Sequence, residues 1–178
     1  MQLDDVRAIQ YGDVLVEGER WPNSIHVIEH PDGRVLVDTG MIESTPDLDA
    51  EWGVLFDAAK IPRDAVCVIN THLHFEHCGG NRLYAGTPIH VQRAEREAAR
   101  APDYTIPEWV EFDGAEYVEH VGEAEIVPGV RVLPTPGHTP PPHPTPDATK
   151  PDKTPAPHST PPPKPDKTTA PHPTPGHP

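Results

Sequence analysis

The chain has 178 residues, 28 acidic against 14 basic side chains for a formal charge of -14, and 26 prolines, of which 16 follow Thr139. One domain is what this length sustains; the last 39 residues form a separate compositional class, which leaves residues 1–139 as a globular candidate with room for a modest core. Four lysines and three aspartates in the tail leave -15 on that candidate, a surface that argues against nucleic acid and anionic membranes as partners.

Residues 24–30 alternate through Ile25, Val27 and Glu29, Pro31, Asp32 and Gly33 turn, and residues 34–38 run through V-L-V to Asp38. This predicts a β-hairpin. Read on its own, Asp38 is a strand-end residue bonding to nearby backbone. From Asp47 the period changes, and Leu48, Trp52, Leu55, Phe56 and Ala59 recur at helical intervals between Pro46 and Pro62. They predict an amphipathic helix on the sheet, with Trp52 and Phe56 as core. Residues 65–70 then read as a buried strand in which Cys67 is a small hydrophobe.

That strand empties into T-H-L-H-F-E-H-C-G-G, residues 71–80. Three histidines and a carboxylate at a strand's carboxyl end form a metal-site arrangement, because neutral imidazole and carboxylate are ligands that zinc accepts. If the chain stays extended, His72 and His74 point to one side, and Glu76 and His77 follow where it turns over. One loop then serves two adjacent metals. A further ligand must come from elsewhere, and His138 in T-P-G-H-T, after the strand-like residues 130–133, is the candidate. Any of these histidines alone reads as a surface or core residue; the cluster reverses that. Cys78 reads as a turn-filling residue, with a thiolate ligand as the sharper alternative. Gly79 and Gly80 free the backbone for a sharp exit.

Beyond the loop, residues 81–84 begin a short helix and residues 88–91 form a brief strand. Residues 92–100 make a charged, alanine-rich helix whose Glu95, Arg96, Glu97 and Arg100 form a solvated face. Residues 102–114 are irregular; such a loop packs over the core or lines a substrate mouth, and packing is the simpler expectation. Residues 117–120, 125–127 and 130–133 are short strands, the last two joined by a Pro128-Gly129 turn.

Residues 140–178 form a proline-, histidine-, threonine- and lysine-rich tail in which K-P-D-K-T-P-A-P-H from Lys150 returns fourteen residues later from Lys164 as K-P-D-K-T-T-A-P-H. This proline density favours a solvated, disordered polyproline-II chain. Its histidines read as solvated side chains, with weak metal scavenging as the sharper alternative. No apolar run approaches a membrane span, and residues 1–10 carry acids where a signal peptide needs a basic then apolar stretch. Two cysteines without a secretion signal make no disulfide framework, so the cytoplasmic compartment is the default.

H-L-H-F-E-H-C-G-G, followed by P-I-H-V-Q-R-A-E-R-E-A-A and V-P-G-V-R-V-L-P-T-P-G-H-T-P, resembles the metallo-beta-lactamase fold hydrolases from about Gln2 to Pro140. The closest branch is the quorum-quenching N-acyl homoserine lactonases. The resemblance implies an α/β fold, the first half of a four-layer αββα sandwich, and a zinc-dependent hydrolase of a small-molecule lactone. By that likeness His72, His74 and His138 would hold one zinc, and Glu76 with His77 would begin a second site. A hydroxide shared by the metals would attack the lactone carbonyl, whose oxygen zinc polarises. Glu76 would bind metal and pass a proton to the departing alkoxide. Phe75 would shape the acyl pocket, or else act as a packed aromatic, and Asp38 in V-D-T-G would support the site without ligating.

Two departures from the family pattern stand out. The family has aspartate where this chain has Glu76, and the extra methylene moves the carboxylate by about a bond length. After T-P-G-H-T-P the family continues with glycine-histidine and a second half of strands and helices, where this chain has Pro141, Pro142 and the repeat. With that half go a bridging aspartate, a last histidine and a tyrosine near the substrate carbonyl. The family's two zincs thus become one three-imidazole site as the expectation for this chain. The opposing sheet goes too, so exposure of an apolar sheet face, homo-oligomerisation through it, or instability is expected. The alternative reading is a truncated, catalytically impaired member that acts as a metal-binding or interaction module.

Overall fold

The structure, a computed structural model, describes residues 5–102, 104–135 and 137. The predicted ligand His138 and the predicted disordered tail lie outside the described residues. Strands β1 (Val6–Val16) and β2 (Glu19–His30) form a long antiparallel hairpin that sequence periodicity did not reveal at its first strand. Glu17 and Gly18 both take positive φ at its turn, 51° and 86°. Such a two-residue turn matches the right-handed twist of the flanking strands. Strand β3 (Gly33–Val37) continues the predicted hairpin with β2.

Helix α1 (Pro46–Trp52) begins at Thr45, whose side chain accepts the Leu48 N–H, and ends at Gly53 with φ 48°. It is therefore shorter than the predicted helix. The left-handed glycine turns the chain back, and Leu55 and Phe56 pair as strand β4 (Leu55–Phe56) with the edge of β1. Strand pairing overrides the helical spacing of these two residues.

Strand β5 (Cys67–Ile69) lies parallel to β3 and leads to the short helix α2 (Phe75–Cys78). Strand β6 (Pro88–Gln92), helix α3 (Arg93–Ala98), helix α4 (Pro107–Val110) and strand β7 (Glu116–His120) follow. The sheet has seven strands in the order β4-β1-β2-β3-β5-β6-β7. Strands β8 (Ala124–Val127) and β9 (Val130–Val132) form a separate hairpin through the predicted Pro128-Gly129 turn.

Alternation along the strands sends Ile25, Val27, Leu36, Val68 and Ile89 to one core, with Tyr11, Met41, Ile61, Tyr84 and Trp109 closing over them. Ile28, Val35, Cys67 and Ile69 enter a second cluster that includes Val130 of β9, with Ile126, Val127 and Val132 against it. The second sheet face, expected to be exposed, is thus partly covered by the β8–β9 hairpin. His30 ties the two together, its Nε2 lying 3.0 Å from the Pro128 carbonyl oxygen.

Glu95 and Arg96, expected on a solvated face, are buried instead, at 7% and 8% exposure. The reason is that α3 lies down on β6 and β7: Arg96 sits over the Tyr117 ring, 4.0 Å from its centroid, and pairs with Glu111 at 2.8 Å. Among the described residues no helix is long and apolar enough to cross a membrane.

Candidate metal centre

Parallel pairing of β3 with β5 brings Val37 opposite Ile69, so Asp38 and Thr71 leave the sheet close together. Asp38 is buried with φ 61°, a left-handed conformation that aspartate tolerates better than most residues. Its carboxylate offsets that strain with three contacts. Oδ1 accepts the Thr71 N–H at 2.8 Å, Oδ2 accepts the Thr71 hydroxyl at 2.8 Å, and Oδ2 meets His77 Nδ1 at 2.8 Å.

These contacts assign the tautomers of two histidines. Facing an acceptor-only carboxylate, His77 Nδ1 carries the proton, and Nε2 is left with its lone pair. The Thr71 hydroxyl gives its hydrogen to Asp38 and receives the Nδ1–H of His72 at 3.1 Å, which leaves His72 Nε2 in the same state. Burial alone would push the His77 imidazole down. The hydrogen bond and charge of Asp38, with the charges of Glu76 and Glu95, outweigh it and raise His77 above its ordinary value.

The turn into α2 gathers the donors. His77 N–H and Cys78 N–H both bond to the His74 carbonyl, at 2.9 and 3.1 Å. Glu76 and His77 thereby fold back onto His72, whose ring centroid lies 4.0 Å from that of His77. Ligand atoms of His72, Glu76 and His77 all lie within 4.8 Å of one another. Tetrahedral donors around zinc stand roughly 3.3 Å apart, which lies inside that span. Glu76 Oε2 is buried without a hydrogen-bond partner among the described residues. A desolvated carboxylate oxygen of that kind is costly by itself and is satisfied by a cation, so the residues fit a metal.

His74 stands beside this cluster, its ring edge-on to His72 at 4.7 Å and tilted against Tyr104 at 4.8 Å. Cys78 turns away into an apolar cluster with Leu73, Val91 and Val110, and its thiol donates to the Leu73 carbonyl at 3.3 Å. Burial pushes that thiol up to about 12. With Cys67 and Cys78 at 4% and 0% exposure, neither is expected to react with a water-soluble disulfide reagent in the native protein, and both to react once urea unfolds it.

Contacts from distant segments hold the loop. Thr39 N–H donates to the His77 carbonyl at 2.8 Å, and Gly80 N–H to the Gly40 carbonyl at 2.8 Å. Buried Asn81 accepts the Thr39 hydroxyl at 2.8 Å and donates to Asn70 at 2.8 Å. From below, the Tyr11 hydroxyl donates to the Glu76 carbonyl. Tyr11→Phe would take that partner from a part-buried carbonyl, and an unfolding titration is expected to show a loss of about 1–2 kcal/mol. None of these partners is marked by local periodicity; only the V-D-T-G string pointed to Asp38.

A cavity of about 880 Å³ opens over Glu76 and His77. Val14 and Val16 of β1, Trp52 of α1, Phe75 and Ile106 give it apolar walls, and His74 and Tyr104 border it. Phe75 packs on Trp52 with ring centroids 5.9 Å apart. Trp52, expected as core alone, is therefore also a wall of the cavity. The 102–114 segment, expected to be irregular, contains α4, and it both packs and lines: Trp109 packs down, donating to Glu43 at 2.8 Å, while Tyr104, Thr105 and Ile106 line the opening.

Residues 18–146 match the metallo-beta-lactamase superfamily. An N-acyl homoserine lactonase from Bacillus sp. is 36% identical over 135 residues, which cover 65% of this chain and 54% of that protein. The N-acyl homoserine lactonase AiiA of Bacillus thuringiensis subsp. kurstaki is 35% identical over 135 residues, with the same shares of 65% and 54%. Among solved structures, an N-acyl homoserine lactone hydrolase with the product N-hexanoyl-L-homoserine at its catalytic metal center superposes with a TM-score of 0.64 and 30% identity. That match covers 76% of this chain and 67% of the other. The chain spans about half the length of the curated relatives it matches.

Proposed function

We propose that this chain, which belongs to the metallo-beta-lactamase superfamily, works as a zinc-dependent hydrolase that opens the ring of an N-acyl homoserine lactone. The observation that carries the proposal is the convergence of His72, Glu76 and His77, the last two of which line a cavity with apolar walls. Its likeness to lactonases supplies the substrate class.

In this reading His72, Glu76 and His77 hold zinc, with His74 beside them and His138 as a further donor. What zinc supplies when bound is Lewis acidity and a water that ionises near neutral pH. Asp38 keeps the proton of His77 on Nδ1 and, through Thr71, that of His72 on Nδ1 as well, so both Nε2 atoms stay available as donors. The apolar walls at Phe75, Trp52, Val14 and Val16 accept an acyl chain and keep bulk water from the ester. Glu76, a carboxylate within the donor cluster, can carry a proton to the alkoxide that ring opening releases.

The test is zinc per chain after gel filtration, together with acid release from N-hexanoyl homoserine lactone, for wild type and His72→Ala. Zinc-dependent ring opening that disappears with His72 supports the proposal. A zinc-loaded protein that leaves the lactone intact would overturn the activity and establish a metal-binding module in its place.

A further inference from the structure

Glu95 of α3 is a buried carboxylate outside the donor cluster. Its neighbour Arg96 turns elsewhere, to Glu111 at 2.8 Å and towards Glu119 at 3.9 Å. A buried carboxylate is costly unless hydrogen-bonded. Glu95 meets that need through Oε1, which accepts the backbone N–H of Leu73 at 2.7 Å and also the hydroxyl of Tyr104.

Both donors lead to the histidines. Leu73 is the residue between His72 and His74, and its side chain is fully buried, so fixing its peptide fixes the backbone on which both imidazoles stand. Tyr104 lays its ring on that of His74, with centroids 4.8 Å apart and planes at 51°. The metal loop, α3 and the segment at Tyr104 thus meet on one carboxylate.

We infer that Glu95 is a positioning residue for the metal loop, holding the Leu73 peptide directly and the His74 ring through Tyr104. The inference rests on the zinc-site reading above. Glu95 is not one of the clustered donors and does not line the cavity; apart from its charge, which is felt at His77, it acts through the residues it holds.

The test uses the full chain, zinc titrations against a chromogenic chelator, and visible spectra of the cobalt-substituted protein. Zinc is counted as that lost in His72→Ala, which removes any contribution from the histidines of the tail. Glu95→Ala is expected to weaken zinc roughly ten- to hundredfold, the range for loss of a residue supporting a ligand. Glu95→Gln retains an acceptor oxygen for Leu73 and is expected to recover most of that loss. Tyr104→Phe keeps the ring and removes only the hydroxyl; it is expected to shift the cobalt bands with a severalfold loss of affinity. Tyr104→Phe keeps the test decisive if Glu95→Ala does not fold. Wild-type affinity and an unchanged cobalt spectrum in folded Tyr104→Phe, together with unchanged affinity in Glu95→Ala if that variant folds, would overturn the inference and leave the zinc site standing. A wild-type chain with no zinc that depends on His72 would overturn both.

Discussion

Replacing His77 with alanine is expected to weaken zinc binding by at least about a hundredfold, more than loss of a supporting residue typically causes. His77 is the most constrained donor of the cluster. Its ring is anchored at Nδ1 by Asp38, and its carbonyl by the Thr39 N–H. Its N–H closes the turn on the His74 carbonyl. Removing the imidazole takes one donor from the cluster of His72, Glu76 and His77 and also leaves Asp38, a buried carboxylate, with one contact fewer. Asp38→Asn keeps the donor but frees its orientation, and a loss of about tenfold is expected. Chelator competition reads both, and His26→Ala, an exposed histidine on β2, serves as the control. Equal zinc affinity in His77→Ala and the control would remove His77 from the ligand set.

Gly80→Val is expected to destabilise the zinc-free protein by about 3 kcal/mol or more, at the upper end for overpacking. Gly79 and Gly80 have φ of -61° and -96°, torsions open to any residue, so conformational freedom is not why they are glycine. Space is the reason. A Cβ on Gly80 would run into the Thr39 carbonyl oxygen, which is backbone and cannot swing aside. One on Gly79 would lie 2.7 Å from the Phe75 carbonyl oxygen and 3.0 Å from the Trp109 ring. The close approach lets Gly80 N–H reach the Gly40 carbonyl and fastens the end of the metal loop to the segment that follows β3. Gly86 is the opposite case, with φ 75° and nothing within 4 Å of where a Cβ would stand, so Gly86→Ala is expected to cost only about 1 kcal/mol, for backbone conformation alone. Urea unfolding of the two variants separates the effects, and a smaller loss at Gly80 than at Gly86 would contradict the packing argument.

The sequence by itself determined the elements whose signal is local. Alternation at Ile25 and Val27 announced the hairpin, the run through Val68 announced a buried strand, and H-L-H-F-E-H carried both the donor types and their delivery at a strand end. Those features depend on neighbours a few residues apart, which periodicity and motif spacing record. Tertiary structure decided what depends on segments far apart. It stopped α1 at Gly53 because Leu55 and Phe56 found a partner in β1, and it turned Trp52 into a cavity wall. It buried Glu95 and Arg96 because α3 lies on β6 and β7, where a charge pattern read along one helix suggests a wet face. The gathering of His72, Glu76 and His77 belongs to the same class. Spacing within the loop put them near one another, but their tautomers are set by Asp38, 39 residues before His77. Which nitrogen faces a metal is decided by a hydrogen bond that forms only once β3 and β5 lie side by side.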